Sequence, residues 1–311
     1  MKKIIIRVIT YNQEDLIRRA LESVLCQKEW GLYRIVISDD CSKDRTWEIL
    51  QDYQEKYPEI IDIHRNCHNL GIFGNVAQSE TYLPSEYDLF GELSGDDAYC
   101  EGYFETVQRF IQEHSIDTSE AIGIFSDWKA VGLDGKEDIY VQDAVLSGYN
   151  LFSLKARGLI SSRSLLVSKK VRDGYEPILQ GRGLNLTESH YDSQPFFNIK
   201  EKYYIHKVTS IYYTGIGVST LFTNKQSSYK TTERIEKWNY AIEHLIHEKH
   251  DLFYAKSEKI RAEFFVNPSW DKIFKIVYYS QLGQLRRYEN GIAYKLKMIL
   301  SLIKYKITHS K

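Results

Sequence analysis

Two pairs of adjacent carboxylates follow short apolar runs: Asp39-Asp40 after residues 33–38, and Asp96-Asp97 after residues 87–93. Like charges held this close raise each other's pKa until a cation neutralises them. A divalent metal is the natural partner, because Mg2+ or Mn2+ takes one or two carboxylates and fills its remaining positions with water and substrate phosphate oxygens. Each pair also has a plainer reading. Asp96 and Asp97 could cap a helix starting near Gly102, and Asp40, Ser42 or Asp44 could cap a helix over 45–57. No G-x-G-x-x-G and no P-loop follows any of the apolar runs, so a glycine-rich phosphate cradle is excluded. Cys26, Cys41, Cys67 and Cys100 show no C-x-x-C spacing, and Cys67-His68 lacks the further paired ligands a metal centre needs.

The elements that must position these acids alternate between strand and helix. Residues 4–10 are a short β-branched run, and after Asn12, a suitable N-cap, apolar residues recur at Leu16, Ile17, Ala20, Leu21, Val24 and Leu25 with helical period. Strands follow at 33–38, 60–64 and 87–93, with helices at 45–57, where Trp47, Leu50 and Tyr53 are in phase, and at 102–113. Such alternation predicts a parallel sheet covered by helices on both faces, with ligands at the carboxyl ends of its strands. Both acidic pairs fall at that edge. A strand is expected at 121–128, a loop-rich passage at 131–149, and strands and turns to about residue 218. Helices are expected at 233–250, 256–266 and 292–307, with Pro268 as a break.

The 311 residues carry 41 Lys+Arg against 42 Asp+Glu, a near-neutral balance that argues against a dedicated nucleic-acid binder. The balance hides a segregation: residues 225–311 hold 17 Lys+Arg and nine Asp+Glu, a net of +8, which leaves residues 1–224 at −9. The 24 Tyr, with flat apolar faces and hydroxyls, suit sugars and nucleobases as well as half-buried positions. Arg7 and the polar Asn12-Gln13-Glu14 interrupt the opening apolar run, which therefore reads as a strand rather than a signal peptide, and no apolar stretch reaches bilayer-spanning length. Together with the sparse cysteines, this predicts a cytoplasmic protein.

Four ordered motifs within residues 3–110 resemble the family 2 glycosyltransferases: IIIRVITYNQEDLIRRALESVLCQ, YRIVISDDCSKDRTWEIL, NLGIFGNVA and ELSGDDAY. The resemblance implies the GT-A fold of nucleotide-diphospho-sugar transferases, α/β with a mostly parallel sheet and helices on both faces. It divides the chain into a transferase domain over 1–224, with a nucleotide-sugar half at 1–115 and an acceptor half at 116–224, and a helical basic extension over 225–311. It also implies roles. Asp40 would accept a hydrogen bond from the pyrimidine base; Thr10, Tyr11, Glu14 and Asn75 would line the donor pocket. Asp96 would face the ribose or the metal, and Asp97 would coordinate the Mg2+ or Mn2+ that bridges the diphosphate. Ser94 stands at the usual first aspartate of the family's D-x-D, Cys41 and Arg45 at common glycines, and Gly74 where a basic residue often precedes the Asn75 position.

On the acceptor side, Asp192 in ESHYDSQPFF falls on the family's acidic motif and would act as base, with Glu188 and His190 as alternatives. The implied activity is an inverting, metal-dependent, single-sugar transfer from a UDP-sugar or another pyrimidine nucleotide sugar to a hydroxyl, expected on a lipid-linked glycan. QLRRY at 284–288 only faintly resembles the Q-x-x-R-W of processive synthases. Alternatives from other classes are a non-catalytic nucleotide-sugar-binding scaffold subunit, which Ser94 favours, and a sugar nucleotidyltransferase, whose glycine-rich basic loop TYNQEDLIRR lacks. A response-regulator receiver also places acids after a buried strand, but such a domain is far shorter and needs a lysine-bearing strand end. In the tail, Ile292, Leu296, Ile299, Leu300, Ile303 and Ile307 form one helical face flanked by Lys295, Lys297, Lys304 and Lys306. That pattern suits peripheral attachment to the inner face of an anionic membrane through 286–311, or packing against its own domain or a second subunit.

Overall fold

A computed structural model of the chain describes residues 1–156, 158–175, 194–216, 249–282 and 292–308, with single positions between 235 and 242. The described residues form two compact units, one comprising 1–175 and 194–216 and the other 249–282 and 292–308. In the first unit, β1 (Ile4–Thr10), β2 (Leu32–Asp39), β3 (Ile61–Arg65) and β4 (Leu89–Ser94) run parallel in the order β3-β2-β1-β4. The sheet continues antiparallel from β4 through β8 (Leu165–Ser168) to β6 (Ile122–Val131), which pairs parallel with β9 (Glu201–Tyr213), and β9 pairs antiparallel with the short β5 (Ala98–Tyr99). A further strand, β7 (Glu137–Tyr140), pairs with the end of β6 inside the passage expected to be loop.

Helices α1 (Ile17–Leu25), α2 (Thr46–Lys56), α3 (Gly71–Ser79) and α4 (Tyr103–Glu113) link and flank the parallel strands. α1 buries Ile17, Ala20, Leu21, Val24 and Leu25, the expected stripe, and each large aliphatic there is worth about 1.5–3 kcal/mol of burial. The expected cap does not form. Asn12 takes a left-handed φ of 51° and accepts a bond from Lys43 N at 2.7 Å, so it joins the β1 and β2 loops instead. α3 was hidden in sequence, because Gly71 and Gly74 weaken helix propensity and no polar face alternates along it.

Arg7, which breaks the apolar run of β1, is only 2% exposed. Its guanidinium pairs with Glu80 and Glu92 and lies 5.3 Å from the centre of the Phe90 ring, while Arg172 also pairs with Glu80 and stacks on Phe90. Buried charge is tolerated only when paired in this way. The short helices α5 (Leu151–Ala156), α6 (Lys169–Asp173) and α7 (Gln194–Asn198) complete this unit.

The second unit contains α8 (Lys249–Val266), α9 (Trp270–Leu282) and α10 (Ile292–Thr308). Phe264, Ile273, Ile276 and Leu302 form its buried cluster, with Ile260, Ile303 and Tyr305 packed against it. Pro268 does fall in the break between two helices. The face expected on the last helix is only partly the packed one: Leu302, outside that stripe, is buried, whereas Leu300 and Ile307 are 64% and 66% exposed. The side chains of Ile292 and Leu296 lie outside the described residues, as does most of the helix expected at 233–250. Among the described residues, no helix is long and apolar enough to cross a membrane.

Arg7→Ala is expected to lower the unfolding free energy in urea titrations by about 2–3 kcal/mol, because it removes a buried guanidinium that pairs with both Glu80 and Glu92 and leaves a cavity beside Phe90.

Candidate active site

Parallel pairing places the carboxyl ends of β1 to β4 along one edge, and the sequence puts its polar residues there. Backbone bonds set the depth of each loop: Asp40 N donates to Thr10 O at 3.0 Å, Gly95 N to Ile9 O at 3.0 Å, and Asn66 N to Asp39 O at 2.9 Å. The loop after β1 is then laced to the loop after β2. Gln13 N donates to Thr46 Oγ1, Glu14 N to Asp44 Oδ2, and Arg45 N to the Glu14 carboxylate at 2.9 Å. Glu14 is thus a loop brace at this edge.

Asp39 and Asp40 divide the work at the end of β2. Asp39 is fully buried, accepts from Ser42 and meets the Arg65 guanidinium at 3.2 Å, which closes the turn. Asp40, also buried, uses Oδ1 to accept from Asn66 Nδ2 at 2.9 Å and Leu70 N at 2.8 Å. Asn75 is committed to the protein: its Oδ1 accepts from Ser38 Oγ and Asn66 Nδ2, and its Nδ2 donates to Ser38 O. It thereby ties α3 to β2 and holds Asn66 against Asp40. Of the remaining donor-side candidates, Thr10 is buried and donates to Gln13 Oε1 at 2.7 Å, and Tyr11 is half-buried.

The second acidic pair sits in the turn between β4 and β5. A Cβ on Gly95 would meet Gln13 Oε1 at 2.3 Å and Thr10 Oγ1 at 3.0 Å, so a larger residue would have to displace the Gln13 side chain from its bond to Thr10. Asp96 is half-buried and Asp97 buried. Neither caps the following helix: α4 begins after Gly102 without a side-chain cap, and its Phe104 N is satisfied by Gln27 Oε1 at 2.9 Å. Burial raises the Asp96 carboxyl above its ordinary range; burial and the Asp96 charge push Asp97 up to about 7. Tyr213 N, which donates to Asp97 Oδ1 at 3.2 Å, and the charges of Arg163 and Arg19 oppose that rise without cancelling it.

Those two arginines were not foreseen in the sequence, because their partners are distant in the chain. Arg19 lies 3.5 Å from the centre of the Tyr213 ring and donates to Asp96 O at 2.6 Å, while its buried Nε has no hydrogen-bond partner. Arg163 lies against Tyr212 at 4.0 Å and Trp128 at 5.0 Å, and Trp128 is itself stacked on Tyr140 at 3.9 Å. The edge therefore combines two under-neutralised carboxylates with two guanidiniums pinned on aromatic faces.

Among the described residues, no cluster of three or more His, Cys, Asp or Glu side chains could hold a metal ion by itself. The donor set is a pair of carboxylates, which fits a Mg2+ or Mn2+ whose shell is completed by water and a phosphorylated ligand rather than a closed structural centre. Asp192, Glu188, His190 and QLRRY all lie outside the described residues.

Residues 5–129 match the family model "Glycosyl transferase family 2". Over 118 residues it is 28% identical to the processive diacylglycerol beta-glycosyltransferase of Mycoplasma pneumoniae, covering 37% of this chain and 34% of that protein. Over 91 residues it is 39% identical to the poly(ribitol-phosphate) beta-glucosyltransferase of Bacillus spizizenii, covering 28% and 14%. The chain thus matches well under half the length of these relatives. Its fold is shared with S. aureus TarS 1–349 in complex with UDP-GlcNAc, with a TM-score of 0.60 at 16% identity over 98% of this chain and 88% of that one. The fold is accordingly of the GT-A type.

A carboxyl whose pKa rises from 3.8 to about 7 on folding favours the fold while neutral, so its stabilisation is full below 3.8 and lost as pH climbs through 7. Asp97→Asn should therefore raise the unfolding free energy of the metal-free protein above pH 7 by roughly 2–4 kcal/mol, with the gain vanishing in acid; denaturant titrations across pH read this.

Proposed function

We propose that the chain is an inverting, non-processive glycosyltransferase that moves a sugar from UDP, or another pyrimidine nucleotide, to a hydroxyl acceptor. One observation carries this reading: a family 2 segment in which Asp96 and Asp97, both held above the ordinary carboxylate range, share a strand edge with Asp40. The UDP-GlcNAc complex of the similarly folded TarS supports a uridine donor. The names of the M. pneumoniae and B. spizizenii relatives, a diacylglycerol and a poly(ribitol-phosphate) glycosyltransferase, support a lipid or a polymeric glycan-type acceptor, which we place in cell-surface polysaccharide synthesis. We assign the transferase domain to 1–224 and the extension to 225–311.

In this reading Asp40 keeps a carboxylate oxygen for the pyrimidine N–H while Asn66 and Leu70 hold the other. Thr10, Tyr11 and Gln13 shape the floor beside it. A divalent cation on Asp96 and Asp97 would supply charge compensation for the departing nucleoside diphosphate. Arg19 and Arg163 face the same diphosphate, and stacking on Tyr213, Tyr212 and Trp128 fixes them before the donor arrives. Asp192 takes the proton of the acceptor hydroxyl as its oxygen attacks the anomeric carbon, the bond from that carbon to the phosphate oxygen breaks, and configuration inverts. Glu188 and His190 are the alternative bases. Ser94 favours a second reading, a non-catalytic donor-binding subunit.

Incubation with a panel of UDP-sugars and Mn2+ separates the two: release of UDP is expected with one or a few donors, and no turnover with any would contradict the transferase reading. Asp97→Ala, or EDTA, should lower that turnover at least about a hundredfold; full activity in EDTA would remove the metal assignment. For Asp192→Asn, UDP should bind as in the parent while transfer falls by about two to four orders of magnitude, measured by calorimetry beside product analysis.

A further inference from the structure

The second unit exposes an apolar face that its own packing does not use. α9 turns Ile273 and Ile276 into the buried cluster, while Trp270, Phe274 and Tyr278, spaced i, i+4 and i+8 along one side, are 50%, 72% and 61% exposed. Val266, at the end of the preceding helix, is also exposed. Single exposed apolar residues are ordinary, but an aligned row of three large aromatics on one helix marks an interaction surface.

We propose that this face of α9 seats the protein on an anionic lipid bilayer. The residue types fit the interface between headgroups and acyl chains, where Trp and Tyr concentrate because their rings are amphipathic. The charge fits as well. Residues 252–308 carry eleven Lys+Arg and four Asp+Glu, a net of +7, and each cation near an anionic leaflet adds on the order of 1 kcal/mol. Pairing this face with the same face of a second copy would instead bring two surfaces of like sign together. The lysines flanking the row are already oriented: Lys275 pairs with Asp271 at 2.8 Å, and Lys272 Nζ donates to Glu263 O and Asn267 O, capping the end of α8. Lys304 on α10 is exposed.

This moves the membrane-facing surface from the apolar stripe of the last helix, which partly packs inward, to the aromatic row of α9. It is independent of the transfer chemistry, although an acceptor anchored in lipid would make it useful.

The test is flotation of the full chain with vesicles of phosphatidylcholine, alone or mixed with phosphatidylglycerol. The parent should float only with the anionic mixture, and a Trp270→Ser, Phe274→Ser, Tyr278→Ser triple variant should lose about tenfold or more in partitioning. UDP-sugar hydrolysis by that variant should stay at the parent level, which separates failure here from failure of the transferase reading. Trp270→Phe provides a second readout that does not depend on the folding of the triple variant: quenching of tryptophan fluorescence by brominated acyl chains should fall when Trp270 is removed. Flotation unchanged in the triple variant, or quenching that does not depend on Trp270, overturns the proposal. So does loss of self-association in the triple variant with vesicle binding intact, which would assign the face to a second copy.

Discussion

Two adjacent carboxylates are held where burial makes charge costly, and much of the strand edge exists to keep them there. A Cβ at residue 95 would push against the Gln13, Thr10 and Ile17 side chains, so glycine eases the close approach of the β4–β5 turn to the β1 loop. Tyr213 N comes from the far end of β9 to bind Asp97, and Arg19 reaches from α1 to the backbone of Asp96. The neighbouring guanidiniums lower the Asp97 pKa without restoring it to the ordinary range. What remains is an electrostatic deficit that, under the proposed function, a divalent cation would offset. An edge tuned to neutrality without ligand would gain less from binding one.

The rigidity behind this edge comes from two different sources. Backbone bonds between successive loops, from Asp40 to Thr10 and from Gly95 to Ile9, fix depth without depending on side-chain identity. Side-chain braces then fix orientation: Asn75 and Asn66 act on Asp40, and Glu14 and Asp44 join the loops after β1 and β2. Further down β1, Arg7 takes a place that an aliphatic residue could have filled and uses it to join α3's end, β4 and α6 through Glu80, Glu92 and Arg172. Removing either glutamate would leave the buried Arg7 guanidinium with less compensation in a place with little water.

Most of the donor half was legible in sequence because its order is local. Apolar periods in the first hundred residues give β1 to β4, α1, α2 and α4 within a few residues, and parallel alternation alone puts Asp40, Asp96 and Asp97 at one edge. What escaped depends on contacts remote in sequence. Arg163 matters because Trp128 and Tyr212 are brought beside it by the pairing of β6 with β9, which no local pattern announces. Glu14 and Asn75, expected at the donor pocket from their motif positions, also brace neighbouring loops, which their motif positions do not announce. In the tail, helical periodicity found α10 but not which side it packs, since an apolar stripe fits a partner helix and open solvent equally well until Leu302 is seen inside and Leu300 outside.

Anomalous diffraction from crystals grown with UDP and Mn2+ would locate the metal and the nucleotide on this edge. A single manganese peak shared by the carboxylates of Asp96 and Asp97 and the diphosphate is expected, with the uracil on Asp40 and the guanidiniums of Arg19 and Arg163 turned to the phosphates. A nucleotide bound away from this edge, or a diphosphate held there with Asp96 and Asp97 contributing no ligand to the metal, would contradict it.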